Sequence, residues 1–202
     1  MTSFKNNKYA KKLELYLNNI GEKYNETEYK NLIYKANKLR TIKSIKLIKL
    51  LNTGKKLETV STCKKIQKLL NEGADINFTT NGYGLTPFMF ASINGHFELL
   101  DFLKENGADI KKTNEIGQTA LMMVLVKRTT VRTYEERVKY LNTVKKLKSF
   151  KLDNYLSTDK LGTNINDYYL GNFSALETFY QNVLDNSTKV VNSYVQELEI
   201  TF

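Results

Sequence analysis

The stretch Gly84-Leu85-Thr86-Pro87-Phe88 decides the fold, because a related phrase returns 33 residues later. The second copy is Gly117-Gln118-Thr119-Ala120-Leu121, in which the glycine and the first threonine keep their relative positions. A fixed period of roughly 20 to 50 residues is typical of stacked repeats, whose units bury their apolar faces against their neighbours. The sequence therefore predicts a short solenoid, and such arrays are usually binding surfaces.

A second phrase recurs at the predicted end of each unit. Gly73-Ala74-Asp75-Ile76 returns as Gly107-Ala108-Asp109-Ile110, here 34 residues later because the Asn81–Gly84 loop carries one extra residue. Thr86 is placed to cap the helix that follows it, and Pro87 suits the first helical position, where its missing N–H costs nothing. Each glycine of the recurring phrase stands where a helix must stop.

These phrases resemble the ankyrin repeat, a β-turn followed by two antiparallel helices with the signature Thr-Pro-Leu-His-x-Ala. Here the signature reads Thr86-Pro87-Phe88-Met89-Phe90-Ala91, and Gly95-His96 matches the Gly-His that joins the two helices. The resemblance implies an all-α ankyrin-repeat solenoid of about three to four helix–turn–helix repeats. It is clear from Lys64 to Val126 and extends from Ile45 to Leu184.

The predicted organisation is a single structural unit with a cap at each end, because terminal repeats otherwise expose an apolar face. Residues 1–44 are expected to form a basic, helical, non-repeat N-terminal cap, and residues 186–202 a C-terminal capping helix. Residues 45–185 hold the repeats, which are placed at about 45–83, 84–116, 117–161 and 162–185.

Three local expectations concern helix boundaries and the length of the third repeat. Asn25 begins the second helix of the N-terminal cap, and residues 45–54 form a separate, degenerate first helix of the array. The third repeat carries about twelve extra residues, since Gly162 lies 45 positions after Gly117. They are placed between Lys127 and Tyr140, where residues 128–137 are expected to form a surface loop that leads into a helix at Tyr134–Leu147.

The positive charge of the chain, +10 in net, is concentrated in two stretches. Residues 1–56 hold 14 Lys and Arg against 4 Glu, and residues 127–151 hold 9 against 2. Such a field attracts nucleic acid, an anionic membrane or an acidic protein. Lysine outnumbers arginine 27 to 4, however, and the coding bias of an AT-rich genome would produce the same composition.

Histidine and cysteine, two residue types that often act in catalysis or bind metals, are scarce. One histidine and one cysteine exclude an internal disulfide and an ordinary zinc site. His96 is assigned to the turn of the repeat. Cys63 is placed just before a helix at Lys64–Asn71, but no second histidine is present to act as its base. The sequence therefore predicts a protein that is not an enzyme, with no catalytic residue, metal or cofactor.

The same sequence predicts a cytoplasmic protein without membrane contact. The apolar run at Leu121–Val126 has six residues, which is far short of a membrane span. Residues 1–8 have no apolar segment of the kind that directs secretion.

Candidate partner contacts follow from the resemblance, because ankyrin arrays usually meet partners with their turn tips and with the concave face of their first helices. The matching positions here are Tyr83, Leu85, Ile93, Asn94, Glu115, Ile116, Gln118, Lys127, Lys160 and Leu161. Several are apolar or aromatic, as binding hot spots are. The alternative is that Leu85 and Ile93 only pack against adjacent repeats.

The favoured function is a non-enzymatic module that binds one protein partner. Short, divergent, lysine-rich arrays resemble those with which viruses, phages and intracellular bacteria engage or inhibit proteins of another organism. The alternative is nucleic-acid or polyanion binding through the Lys-rich N-terminal helices and Lys127–Lys151, where tyrosines such as Tyr9 and Tyr34 would stack on bases. A catalytic role would require a cleft with clustered titratable groups near His96, Asp101 or Glu105.

Overall fold

The computed structural model describes residues 8–18, 25–80, 82–151, 158–160 and 162–170, and this part of the chain is helical. Its helices are α1 (Lys8–Asn18), α2 (Glu26–Leu51), α3 (Thr59–Asn71), α4 (Pro87–Ile93), α5 (Leu100–Glu105), α6 (Ala120–Thr130), α7 (Tyr134–Ser149) and α8 (Ile165–Leu170). A 3₁₀ turn at Phe97–Leu99 leads directly into α5. The all-α repeat fold expected from the sequence is confirmed.

The helices pack in two rows. α2, α4, α6 and α8 contact one another in chain order and form the first-helix row. α3, α5 and α7 form the second-helix row, each packed against the first helix that precedes it, and the 3₁₀ turn contacts both α3 and α7. α1 lies against α2. This alternation is the helix–turn–helix organisation that the 33-residue period predicts.

Two threonines 33 residues apart begin two of the first helices in the same way. The Thr86 hydroxyl accepts a hydrogen bond from the Met89 amide at 3.2 Å, and the Thr119 hydroxyl accepts one from the Met122 amide at 3.3 Å. Pro87 occupies the first turn of α4. The recurring threonine is thus explained by its capping bond, which satisfies an amide that the helix leaves without a partner.

Helix α2 runs without interruption for 26 residues, through the position at which the sequence places a new helix at residue 45. The prediction of two separate helices is therefore wrong. The Asn25 side chain caps α2 as expected, but no glycine or proline follows before Gly54 to stop it. The C-terminal end of α2 buries Ile45, Ile48 and Leu51 and serves as the first helix of the array.

The long third repeat contains only a short connection. α6 continues to Thr130 and α7 begins at Tyr134, so the predicted surface loop at 128–137 is wrong. The extra residues lengthen the two helices instead, and buried Val131 anchors the turn between them. The predicted helix at Tyr134–Leu147 is present and extends to Ser149.

The chain ends lie partly beyond the described residues. The end of the fourth repeat expected at 162–185 and the C-terminal capping helix expected at 186–202 fall outside them. The domain limits given above therefore stay a prediction. In the described part of the chain, none of the helices combines the length and the apolar character needed to cross a membrane.

Candidate functional site

Three turns lie side by side at one edge of the array. The Glu115 amide donates a hydrogen bond to the Tyr83 carbonyl at 3.1 Å, and the Lys160 amide donates one to the Ile116 carbonyl at 2.7 Å. Each turn is thereby joined to the next through its backbone. We call the surface formed by Tyr83, Glu115, Ile116 and Lys160 the tip row.

The recurring glycines make these joints possible. Gly84 and Gly117 have φ angles of 67° and 85°, in the left-handed region that glycine adopts without steric penalty. A Cβ atom on Gly84 would lie 3.1 Å from the Glu115 amide nitrogen, and one on Gly117 would lie 3.2 Å from the Lys160 amide nitrogen. The 33-residue glycine period therefore reflects close contact between neighbouring turns.

We expect Gly84→Ala to lower the free energy of unfolding by about 1–2 kcal/mol, because the added Cβ meets both a left-handed backbone and the Glu115 backbone. The measurement is a urea unfolding curve. Gly54→Ala is the matched control, since nothing lies within 4 Å of its Cβ position. Equal stability of the two variants would show that the turns do not depend on this close contact.

The tip row combines apolar and charged side chains. Tyr83 and Ile116 are half-buried, and Tyr83 packs against the core, whereas Glu115 and Lys160 are exposed. An apolar centre with charges of both signs at its edge is the composition of a small protein-binding hot spot.

The structure removes three of the sequence-derived candidates from the surface. Leu85, Ile93 and Gln118 are buried, with exposures of 0%, 2% and 0%. Leu85 and Ile93 belong to the core between repeats, as in the alternative considered for them. Their assignment as partner contacts is therefore wrong for this folded state, because no partner can reach them.

The remaining candidates, Asn94, Lys127 and Leu161, are not part of the tip row as defined above. Asn94 is half-buried, and its amide donates to the Phe90 carbonyl at 3.0 Å and to Asn52 Oδ1 at 3.3 Å. These bonds give Asn94 a structural role at the end of α4. Lys127 is half-buried on α6 and does not belong to a turn. Leu161 lies outside the described residues.

The first helices do not offer the surface that a concave binding face requires. All seven residues of α4 are buried, and so are residues 120–126 of α6. A helix with apolar residues on every side is a core helix. Contact with a partner through the buried residues of α4 and α6 is therefore excluded, and the tip row holds the exposed candidates that remain among the described residues.

Gln118 instead belongs to a buried hydrogen-bond network beneath the tips. Its amide nitrogen donates to the Tyr168 hydroxyl at 2.6 Å, and that hydroxyl donates to Asp159 Oδ2 at 2.6 Å. Asn114 Nδ2 donates to Gln118 Oε1 at 2.9 Å. Burial, followed by the hydrogen bond to Asp159, raises the pKa of the Tyr168 phenol. The network links the second and third tips from below.

Sequence reasoning missed Asn114, Asp159 and Tyr168, although part of the signal was present. Asn114 and Asp159 each stand three residues before a turn glycine. Asn and Asp side chains at such positions accept hydrogen bonds from the turn backbone. Asn114 Oδ1 accepts the Gln118 amide at 2.8 Å, and Asp159 Oδ1 accepts the Thr163 amide at 2.9 Å.

His96 has the environment of a structural residue. It is 4% exposed, and burial lowers the pKa of its imidazole to about 4, with the nearby charge of Lys139 as a smaller cause. The backbone of Thr53 and Leu51 acts in the opposite direction, and the buried His96 Nε2 has no hydrogen-bond partner among the described residues. The imidazole is thus buried in the turn between α4 and α5, close to Leu51 and Thr53 at the end of α2.

Cys63 lies inside α3 rather than before a helix, because α3 begins at Thr59 with Glu58 as its cap. The expected position at a helix start is therefore wrong. Burial, together with the negative charge of Glu58, raises the pKa of the Cys63 thiol. A thiol with a raised pKa is largely protonated at neutral pH and is a poor nucleophile.

A basic groove lies between α2 and α3. It encloses about 420 Å³ and is lined by Lys43, Lys46, Leu50, Lys65, Lys68, Leu69 and Glu72. Lys43 bonds to Glu72, and this bond is the main cause of the lowered pKa of that carboxyl. Over the described residues, no three His, Cys, Asp or Glu side chains come together as a metal site.

Comparison with known proteins agrees with this geometry. Residues 59–153 match a family model described as ankyrin repeats in three copies. A stretch of 45 residues is 47% identical to part of the E3 ubiquitin-protein ligase XBAT33 of Arabidopsis thaliana. The aligned stretch is 22% of this chain and only 9% of the ligase. The chain thus resembles a small part of that protein.

Proposed function

Since residues 59–153 are ankyrin repeats, we propose that this protein is a non-enzymatic module that binds one protein partner through its tip row. Ankyrin repeats generally mediate contacts between proteins. The observation that carries the proposal is the backbone connection of three neighbouring turns, from Tyr83 to Glu115 and from Ile116 to Lys160.

The tip row suits this role because it is held in place before a partner arrives. Two backbone hydrogen bonds between neighbouring turns and the buried network around Gln118 restrain the turns. A preorganised surface loses little conformational entropy on binding, which favours affinity. Tyr83 and Ile116 would supply apolar contact, while Glu115 and Lys160 would fix the orientation of the partner by charge.

The test is affinity capture of partners from the source cells, with quantitative mass spectrometry. We expect a Tyr83→Ala/Ile116→Ala double variant to retain at most about a tenth of the partner bound by the wild type, since alanine removes both apolar anchors. Val60→Ala is the matched control, because Val60 is an exposed apolar residue on α3. Thermal unfolding curves establish that all three proteins are folded.

Equal capture by the wild type and the double variant would refute the tip row as the binding surface. We expect the partner to be cytoplasmic, in the cell that makes the protein or in a host cell. The divergent, lysine-rich repeats support the second possibility, in which the module occupies or tethers a protein of another organism.

A second candidate function is polyanion binding, which the basic groove favours. Lys46, Lys65 and Lys68 are exposed along its edge. Phosphate contacts release counterions, so binding of a single-stranded oligonucleotide would weaken steeply as salt increases. Nuclease treatment during capture separates the two functions: loss of all captured material would favour the polyanion, and its survival would favour the protein partner.

A further inference from the structure

Helix α7 exposes a stripe of apolar residues to solvent. Tyr134, Val138 and Leu141 are 80%, 37% and 44% exposed. Their spacing of four and then three residues places them on one face of the helix, over a length of about 10 Å. Single apolar residues are common on protein surfaces, but an aligned group on one helix is typical of a contact surface.

The exposed stripe is separate from the face that α7 buries in the core. Other residues of the helix hold it in place. Tyr140, Val144 and Leu147 are buried in the core of the array. Burial raises the pKa of the Tyr140 phenol to about 12. Lys146 pairs with Asp101 of α5 at 2.7 Å, and Lys139 donates to the Gly54 carbonyl at 3.3 Å.

The charges around the stripe are mostly positive. Arg137, Lys145 and Lys148 are exposed and share the outward arc of α7 with the apolar residues. Glu135, also exposed, lies at the margin of this arc, a quarter turn from Tyr134. A basic partner would therefore be repelled, and an acidic one would be attracted and oriented.

We propose that α7 is a second docking surface, and that its occupant is an acidic amphipathic helix of a protein partner. Side chains spaced at four and three residues match the apolar seam of a second helix, which is how helices dock on apolar surfaces. The flanking cations select acidic residues beside that seam. The surface lies on the second-helix row, so it is independent of the tip row.

The test uses a synthetic, fluorescein-labelled helical peptide with a leucine seam and glutamates on both sides of it. Fluorescence anisotropy should show saturable binding to the full-length protein. We expect Leu141→Glu and Lys145→Glu each to weaken binding about tenfold, the first by removing apolar contact and the second by reversing a charge. Val60→Glu on α3 is the matched control and should bind like the wild type.

Two further peptides separate a docking surface from general charge attraction. A scrambled peptide of equal composition has no seam, and a version with lysine for glutamate has the wrong charge, so neither should bind. Equal binding of the scrambled peptide, or no effect of Leu141→Glu, would overturn the proposal. Self-association that sedimentation equilibrium detects and Leu141→Glu abolishes would also overturn it, because the occupant would be a second copy.

The proposal and the tip-row function can fail separately. The Tyr83→Ala/Ile116→Ala variant should bind the acidic peptide with wild-type affinity, since both residues lie on the tip row. Loss of peptide binding in that variant would mean that the two surfaces are one site, which contradicts the assignment to α7.

Discussion

Gln118→Ala should lower the free energy of unfolding by about 3 kcal/mol, measured by urea denaturation. The substitution empties buried space and removes two side-chain hydrogen bonds, the one that Gln118 accepts from Asn114 and the one that it donates to Tyr168. These partners are themselves buried, so water does not replace the lost bonds. Polar groups left without partners in a protein interior are costly, which makes the expected loss larger than that of an ordinary surface change.

Two further substitutions test this explanation. Gln118→Met keeps most of the side-chain volume, so it should show the polar part of the loss, about half of the total. Gln67→Ala, on the exposed surface of α3, should change stability by less than about 0.5 kcal/mol. If Gln118→Ala were as stable as Gln67→Ala while partner capture was lost, Gln118 would be a contact residue after all.

The features that could be read from the sequence are those set by local backbone chemistry. The Gly-x-Thr phrase marks a left-handed turn and a helix cap, and both Thr86 and Thr119 form the capping bond that it predicts. Such rules act over three or four residues, so one sequence is enough to apply them. The repeat period then gives the order of the helices, because each unit must stack on the next.

Burial of the candidate contacts could not be read in the same way. Gln118 occupies a turn position that is polar and could face a partner, yet its hydrogen bond to Tyr168 spans 50 residues. Leu85 and Ile93 are likewise buried by neighbouring helices rather than by their own segment. The exposure of a turn residue in a stacked array depends on the next unit, and the next unit here departs from the 33-residue period.

Helix lengths were a second source of error. The distance between the turn glycines gives the number of extra residues in the third repeat, but not whether they are helical. The sequence pattern alone therefore indicates a loop there. Residues 128–130 and 134–137 are helical because no glycine or proline separates them from the adjoining helices. The same absence of a stop signal explains why α2 continues through residue 45.

The pH dependence of stability should carry a contribution from His96 of about 3–3.5 kcal/mol, at about 1.4 kcal/mol for each pKa unit. Its pKa falls from 6.5 in the unfolded chain to about 4 in the folded protein. The unfolded state therefore binds more protons between these values, and the folded protein loses stability as pH decreases through this range. The contribution is fully present above about pH 6.5, and no more is lost below about pH 4.

The single histidine of the chain makes this prediction directly measurable, because the proton NMR spectrum contains one imidazole to titrate. Its midpoint should lie near pH 4 in the folded protein. Carboxyl groups titrate in the same range, so the stability effect is the difference between the wild type and His96→Gln, which cannot be protonated there. Urea curves at pH 7 and pH 4.5 should show a smaller drop in stability for His96→Gln. An NMR midpoint near pH 6.5, or an equal drop for both proteins, would show that the imidazole is accessible to water and that burial does not govern its pKa.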